Sequence, residues 1–168
     1  GVETLRAGWP ADPITSETLP LSQLLLLHQR HPERQLRLMN LSTAAAVVQL
    51  ANCEPPPLSS VSWWHLLTDR SMLASSDPGW RVCPSLGGPE DRDQLIQAVQ
   101  ERTITAVAVH AVPLDAEDMA LPGDQRPAGL SGHHLVLPAL WNALVRSGRW
   151  TAVDLWQALS FGPSALID

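Results

Sequence analysis

A parallel α/β domain forming part of a barrel is the fold class this sequence predicts, and three observations carry that expectation. Short apolar runs of strand character alternate with segments of helical periodicity, a pattern that implies parallel pairing through helical crossovers. The clearest strand, residues 104–109, reads Ile-Thr-Ala-Val-Ala-Val and is apolar enough to be buried on both faces. Only three such strands can be counted along the 168 residues, whereas a closed eight-stranded barrel takes about 250. The sheet is therefore expected to be incomplete, with the whole of 1–168 belonging to one barrel domain.

Fifteen prolines and ten glycines divide the chain into short elements. Residues 1–19, which carry Pro10 and Pro13, read as irregular. Pro20 at a first helical turn opens a leucine-rich helix over 21–28 that must end before Pro32. A short strand is expected over 36–41, then a helix over 44–51 capped by Ser42 or Thr43. Pro55-Pro56-Pro57 breaks that helix, and 58–63 reads as the second strand. A loop rich in Ser, Asp, Pro and Gly covers 69–90, and an amphipathic helix over 91–102 places Leu95, Ile96 and Val99 on one face. After the strand at 104–109, residues 111–131 read as a long loop. Helices follow over 135–145 and from the Thr151 cap to about Phe161 and Gly162.

Composition excludes several functions. The net charge is −6, and all eleven basic residues are Arg. So little positive charge argues against nucleic-acid binding and against docking on an anionic membrane, both of which need clustered cations. Without Lys the chain offers no Schiff-base amine, no phosphate-loop lysine and no carboxylated lysine to bridge two metals. Apolar runs such as Leu24 to Leu27 are far too short for a membrane span. No signal peptide is visible, and Cys53 and Cys83 read as free, buried thiols, so the expected setting is cytoplasmic.

Candidate chemistry gathers at strand ends. In a barrel enzyme the C-terminal ends of the strands face the site, so His65 and His110, after the second and third strands, are placed to share one cavity. His65 could ligate a metal there; equally, it could be a hydrogen-bonded residue at the rim of a Trp-rich core. His133-His134 after Gly132, His28 and His31 near a helix end, and the acidic run Asp115, Glu117 and Asp118 have plainer readings as solvated or terminal groups.

Four stretches in register resemble the dihydroorotases, the cyanobacterial branch in particular. They are Leu38-Met39-Asn40-Leu41-Ser42-Thr43-Ala44; Ser62-Trp63-Trp64-His65-Leu66-Leu67; Val82-Cys83-Pro84-Ser85-Leu86-Gly87, continuing into the helix from Asp91; and Thr105-Ala106-Val107-Ala108-Val109-His110-Ala111 with the later Arg126-Pro127-Ala128-Gly129-Leu130-Ser131-Gly132. The resemblance implies the C-terminal portion of a (β/α)8 amidohydrolase barrel. It also implies a family that opens or closes the cyclic amide of dihydroorotate in pyrimidine biosynthesis, using one or two zinc ions.

Carried over position by position, the resemblance makes His65 a retained metal-ligand position. The family's metal-binding His before Ser-Thr is Asn40 here, a poor zinc ligand beside imidazole. The substrate-contacting Asn is Cys83, with Gly129 in the second substrate loop. The catalytic Asp is His110 and the His after it is Ala111. The expectation is a catalytically degenerate relative, with zinc absent or weakly bound, acting as a structural or regulatory partner. An upstream half or a second subunit would complete the barrel. Inactive relatives scaffold aspartate transcarbamoylase, which makes that enzyme a partner the resemblance implies, within an oligomer. The competing expectation is an active metal-dependent cyclic-amide hydrolase whose missing ligands come from elsewhere.

Overall fold

In the computed structural model, residues 12–74, 81–122 and 125–167 are described. Most of the N-terminal stretch read as irregular, and the middle of the 69–90 loop, lie outside them. The elements are α1 (Thr15–Arg30), β1 (Arg37–Leu38), α2 (Ala44–Ala51), β2 (Leu58–Ser62), α3 (Trp63–Leu67), α4 (Pro89–Gln100), β3 (Ala106–Ala108) and α5 (Ala116–Ala120). The C-terminal part is helical, with α6 (Val136–Leu140), α7 (Ala152–Trp156) and α8 (Gly162–Ile167) joined or flanked by wider and tighter turns.

The three strands form one parallel sheet in the order β1-β2-β3. Arg37 and Leu38 pair with Leu58 and Ser59, and Ser60, Val61 and Ser62 pair with Ala106, Val107 and Ala108. Central β2 is the most deeply buried of the three, with Ser59, Ser60 and Val61 all shielded from solvent. Leu50, Leu66, Leu95, Ile104, Leu140, Leu144 and Leu155 fill the core, and α2 packs between α1 and α4.

Several boundaries differ from the sequence expectation, each for a local reason. The first helix begins at Thr15 rather than after residue 19, and Pro20 lies inside it. Proline there removes one helical hydrogen bond, and the burial of Leu21 and Leu25 helps offset the loss. The first strand contracts from 36–41 to two residues because Asn40 turns left-handed at φ 57°, a region Asn tolerates better than most residues. The third shortens to three residues: the amide of buried Ile104 goes to the Ala98 carbonyl instead of a strand partner. The second ends at Ser62, one residue early, so His65 sits within α3 and not on a strand end.

Within the long 111–131 loop, α5 forms over Ala116–Ala120 with Asp115 as its cap, and Asp115 and Asp118 bond each other's amides. The acidic run is thus largely a helix start. Gly162 does not end the last helix. A side chain there would lie 2.0 Å from the Thr105 carbonyl oxygen, so the absent Cβ lets the C-terminal helix sit against the start of β3. Cys53 is buried and free as expected, while Cys83 is free but exposed, which corrects the reading of two buried thiols.

Among the described residues β1 and β3 each leave one edge unpaired. Large apolar side chains also stand in solvent along the C-terminal helices, including Val153 at 70%, Trp156 at 49% and Phe161 at 64% exposed. Open sheet edges and exposed aromatic side chains are the kind of surface that another segment or subunit covers. No described helix is long and apolar enough to cross a membrane.

Candidate functional site

The turns that follow the three strands meet in one recess. Asn40, two residues beyond β1, is held in its left-handed turn by its own amide, which donates to Ser60 Oγ at 3.2 Å, while the next amide, of Leu41, donates to the Ser60 carbonyl at 2.8 Å. His65 comes from α3, Cys83 from the loop before α4, His110 from just beyond β3, and Gly129 from the following loop; all five border the recess, with Trp64 beside them. His65 and His110 therefore border one recess, although His65 reaches it from α3 and not from a strand end. Among the described residues, none that borders the recess is Asp, Glu or Arg.

The loops are strapped together by backbone. The Gly129 amide donates to the Arg81 carbonyl at 3.0 Å, and the Val112 amide to the Leu130 carbonyl at 2.9 Å. A Cβ on Gly129 would stand 2.7 Å from the Val112 oxygen, so this glycine is required for close approach whatever else it touches.

His65 is 3% exposed, and its Nε2 lies 3.1 Å from the Pro84 carbonyl and 3.3 Å from that of Ser85. Carbonyl oxygens only accept, so Nε2 carries the proton and Nδ1 keeps a lone pair. Burial holds the His65 pKa below the ordinary histidine value, with the two carbonyl bonds opposing it. The ring is neutral at pH 7. Its Nδ1 and the Oδ1 of Asn40 are both buried without a hydrogen-bond partner. His110 and Cys83 are exposed at the rim.

A neutral imidazole that donates one N–H to a carbonyl and aims its other nitrogen elsewhere is how metal-bound histidines are oriented. A zinc site needs about four donors, however, and no three His, Cys, Asp or Glu side chains converge to hold a metal among the described residues. The donors of this chain do not fit a complete zinc site. The recess itself holds only about 70 Å³, well below the roughly 300 Å³ of the smallest usual ligand pocket. Walls and donors must come from outside these residues before a ring-sized ligand could be enclosed.

Two carboxylates bind the residues that follow Asn40 at the start of α2. Glu17 of α1 accepts from the Ser42 amide at 2.6 Å, the Ser42 hydroxyl at 3.0 Å and the Thr43 hydroxyl. Asp91 of α4 accepts from the Ala44 amide and the Gly88 amide, each at 2.8 Å. Asp91 had a legible signal, since an acidic third residue after a helix start is a capping pattern. Glu17 had none, because its partners lie 25 residues away. His28, His31, His133 and His134 are not among the residues bordering the recess.

No family model matches the chain. Among curated proteins it is 33% identical over 174 residues to a probable dihydroorotase-like protein of Synechocystis, an alignment that covers 97% of this chain and 39% of that protein. It is 28% identical over 106 residues to a dihydroorotase of Listeria monocytogenes, covering 63% of this chain and 25% of the relative. Among solved structures, the L-hydantoinase (dihydropyrimidinase) of Arthrobacter aurescens superposes with a TM-score of 0.81 at 18% identity, over 92% of this chain and 36% of that one. The dihydroorotase of Saccharomyces cerevisiae superposes at 0.77 and 15% identity, over 94% of this chain and 46% of that one. The chain thus spans about two fifths or less of the length of the curated relatives it matches, and its fold is part of an amidohydrolase barrel.

Proposed function

The chain belongs to the dihydroorotase-like amidohydrolases, and from that premise we propose that it is part of a catalytically degenerate member, kept as a structural or regulatory partner in pyrimidine biosynthesis. One observation carries the reading: among the described residues no carboxylate borders the recess at the strand ends. Hydrolysis of a cyclic amide by a metal-bound hydroxide needs a group that offsets the metal's charge and takes the proton from its water. His110 stands at the family's Asp position, Asn40 at a metal-ligand position and Cys83 at a substrate-contacting position. Loss of one group of this kind typically costs about 3–4 kcal/mol of transition-state stabilisation. The upstream part of the same barrel, or a second subunit, would cover the open sheet edges. Aspartate transcarbamoylase is the partner to test first, in a cytoplasmic assembly.

The test is zinc content and dihydroorotate turnover of the complete purified protein. Less than one zinc per chain and no turnover are expected. Turnover abolished by a chelator and restored by zinc overturns the proposal. It would favour the second reading, an active metal-dependent hydrolase completed by an upstream segment or another subunit. The feature that supports this alternative is the pair of unpartnered acceptors, Asn40 Oδ1 and His65 Nδ1, bordering one recess. A metal ion or an incoming donor would satisfy both.

A further inference from the structure

We infer that His65 is a positioning residue: its ring clamps the backbone of residues 82–86 against the recess and so fixes where Cys83 stands. The segment is anchored at one end by the Arg81 carbonyl, which accepts from Gly129, and at the other by the Gly87 carbonyl, which accepts from Arg70. Between those anchors the protonated Nε2 of His65 reaches the consecutive carbonyls of Pro84 and Ser85. The ring is 3% exposed and rooted in α3, whose Leu66 is in the core, so it is a fixed post rather than a mobile side chain. A residue that merely filled space would not be shared by two backbone acceptors. Cys83, directly before Pro84, is exposed and borders the recess, so the clamp sets the shape of that wall. This role uses Nε2 only and does not depend on whether the recess hydrolyses anything.

The experiment is amide hydrogen exchange on the complete protein, comparing the Arg70 and Gly129 amides, which donate to the two ends of the segment, with β2 and α2, for His65→Leu and His65→Gln. Leu has no donor, whereas the Gln carboxamide carries N–H groups at nearly the reach of Nε2. In the Leu variant those two amides are expected to exchange about fivefold faster, the factor for one net hydrogen bond lost, with β2 and α2 unchanged. His65→Gln should restore most of the protection. Alkylation of Cys83 should shift in the Leu variant and return in the Gln variant, with buried Cys53 as the internal reference. Should the Leu variant not fold, His65→Asn replaces it, with an amide too short for the carbonyls and exchange faster than in the Gln variant. Unchanged exchange of the Arg70 and Gly129 amides, equal exchange in both variants, or acceleration of β2 and α2 along with them overturns the inference.

Discussion

Two groups of polar side chains lie close together where β1 and β2 end, and their hydrogen bonding could hardly differ more. On one side, Glu17 and Asp91 hand their carboxylate oxygens to the free amides and hydroxyls at the start of α2. The Ala44 amide is one of the unsatisfied donors of a helix N-terminus, where negative charge is most favourable. On the other side, the recess keeps two buried acceptors without partners and, among the described residues, has no carboxylate at its border. The acidic groups near this mouth are committed to architecture. The difference teaches that the piece can be well built as a fold and still incomplete as a site.

The sharpest way to break this comparison is to remove a carboxylate from the satisfied side. Glu17→Ala strands the Ser42 amide and the Ser42 and Thr43 hydroxyls, both residues being buried. Stability to urea should fall by about 3 kcal/mol, the scale for hydrogen bonds to a charged acceptor plus the cost of unsatisfied donors. A loss below about 1 kcal/mol would mean that water replaces the carboxylate without penalty.

Adding a carboxylate to the unsatisfied side sharpens the contrast. Asn40→His combined with His110→Asp should raise zinc occupancy in the complete protein. It should also make thermal stability depend on zinc, by up to about 2.7 kcal/mol at a hundredfold excess over Kd. Metal analysis and melting with and without zinc check this; turnover is not required, because Cys83 and Ala111 remain.

A smaller effect is expected from pH. The folded-state pKa of His65 lies below its unfolded value, so the unfolded chain binds the extra proton first. The His65 contribution to stability is complete above the unfolded value of about 6.5 and is lost as pH falls towards the folded pKa. The melting temperature should therefore drop between pH 7 and 5, and drop less in His65→Gln. Equal slopes for the two proteins would show that folding leaves the His65 pKa where it lies in the unfolded chain.

The smallest effect serves as a control away from the mouth. Arg149 pairs with Asp93 at 2.9 Å, but both side chains are about half exposed, at 41% and 53%. Asp93→Asn should change stability by no more than about 0.5 kcal/mol, since exposed ion pairs contribute little. A cost comparable to that of Glu17→Ala would mean that carboxylates matter here regardless of their surroundings.

Much of this was legible in the residues themselves. Alternation of strand and helix signals gave the parallel α/β class, and Thr43 and Thr151 cap their helices as their identity and position demand. His65 and His110 could be named because each closely follows a predicted strand, and strand order brings such positions to one end of a sheet, whereas Asn40, Cys83 and Gly129 were singled out only by the resemblance to the dihydroorotases. The sequence by itself also determined that the chain is too short for a barrel. Three things needed the tertiary structure, all for one reason: they depend on groups distant along the chain. Asn40 cuts β1 short where a backbone turn meets Ser60. Gly162 continues a helix because Thr105 lies against it. Glu17 acquires its role only when α1 packs beside the start of α2. Propensity and periodicity describe a residue and its near neighbours, whereas a hydrogen bond or a close contact across 20 to 57 residues exists only once the chain has folded.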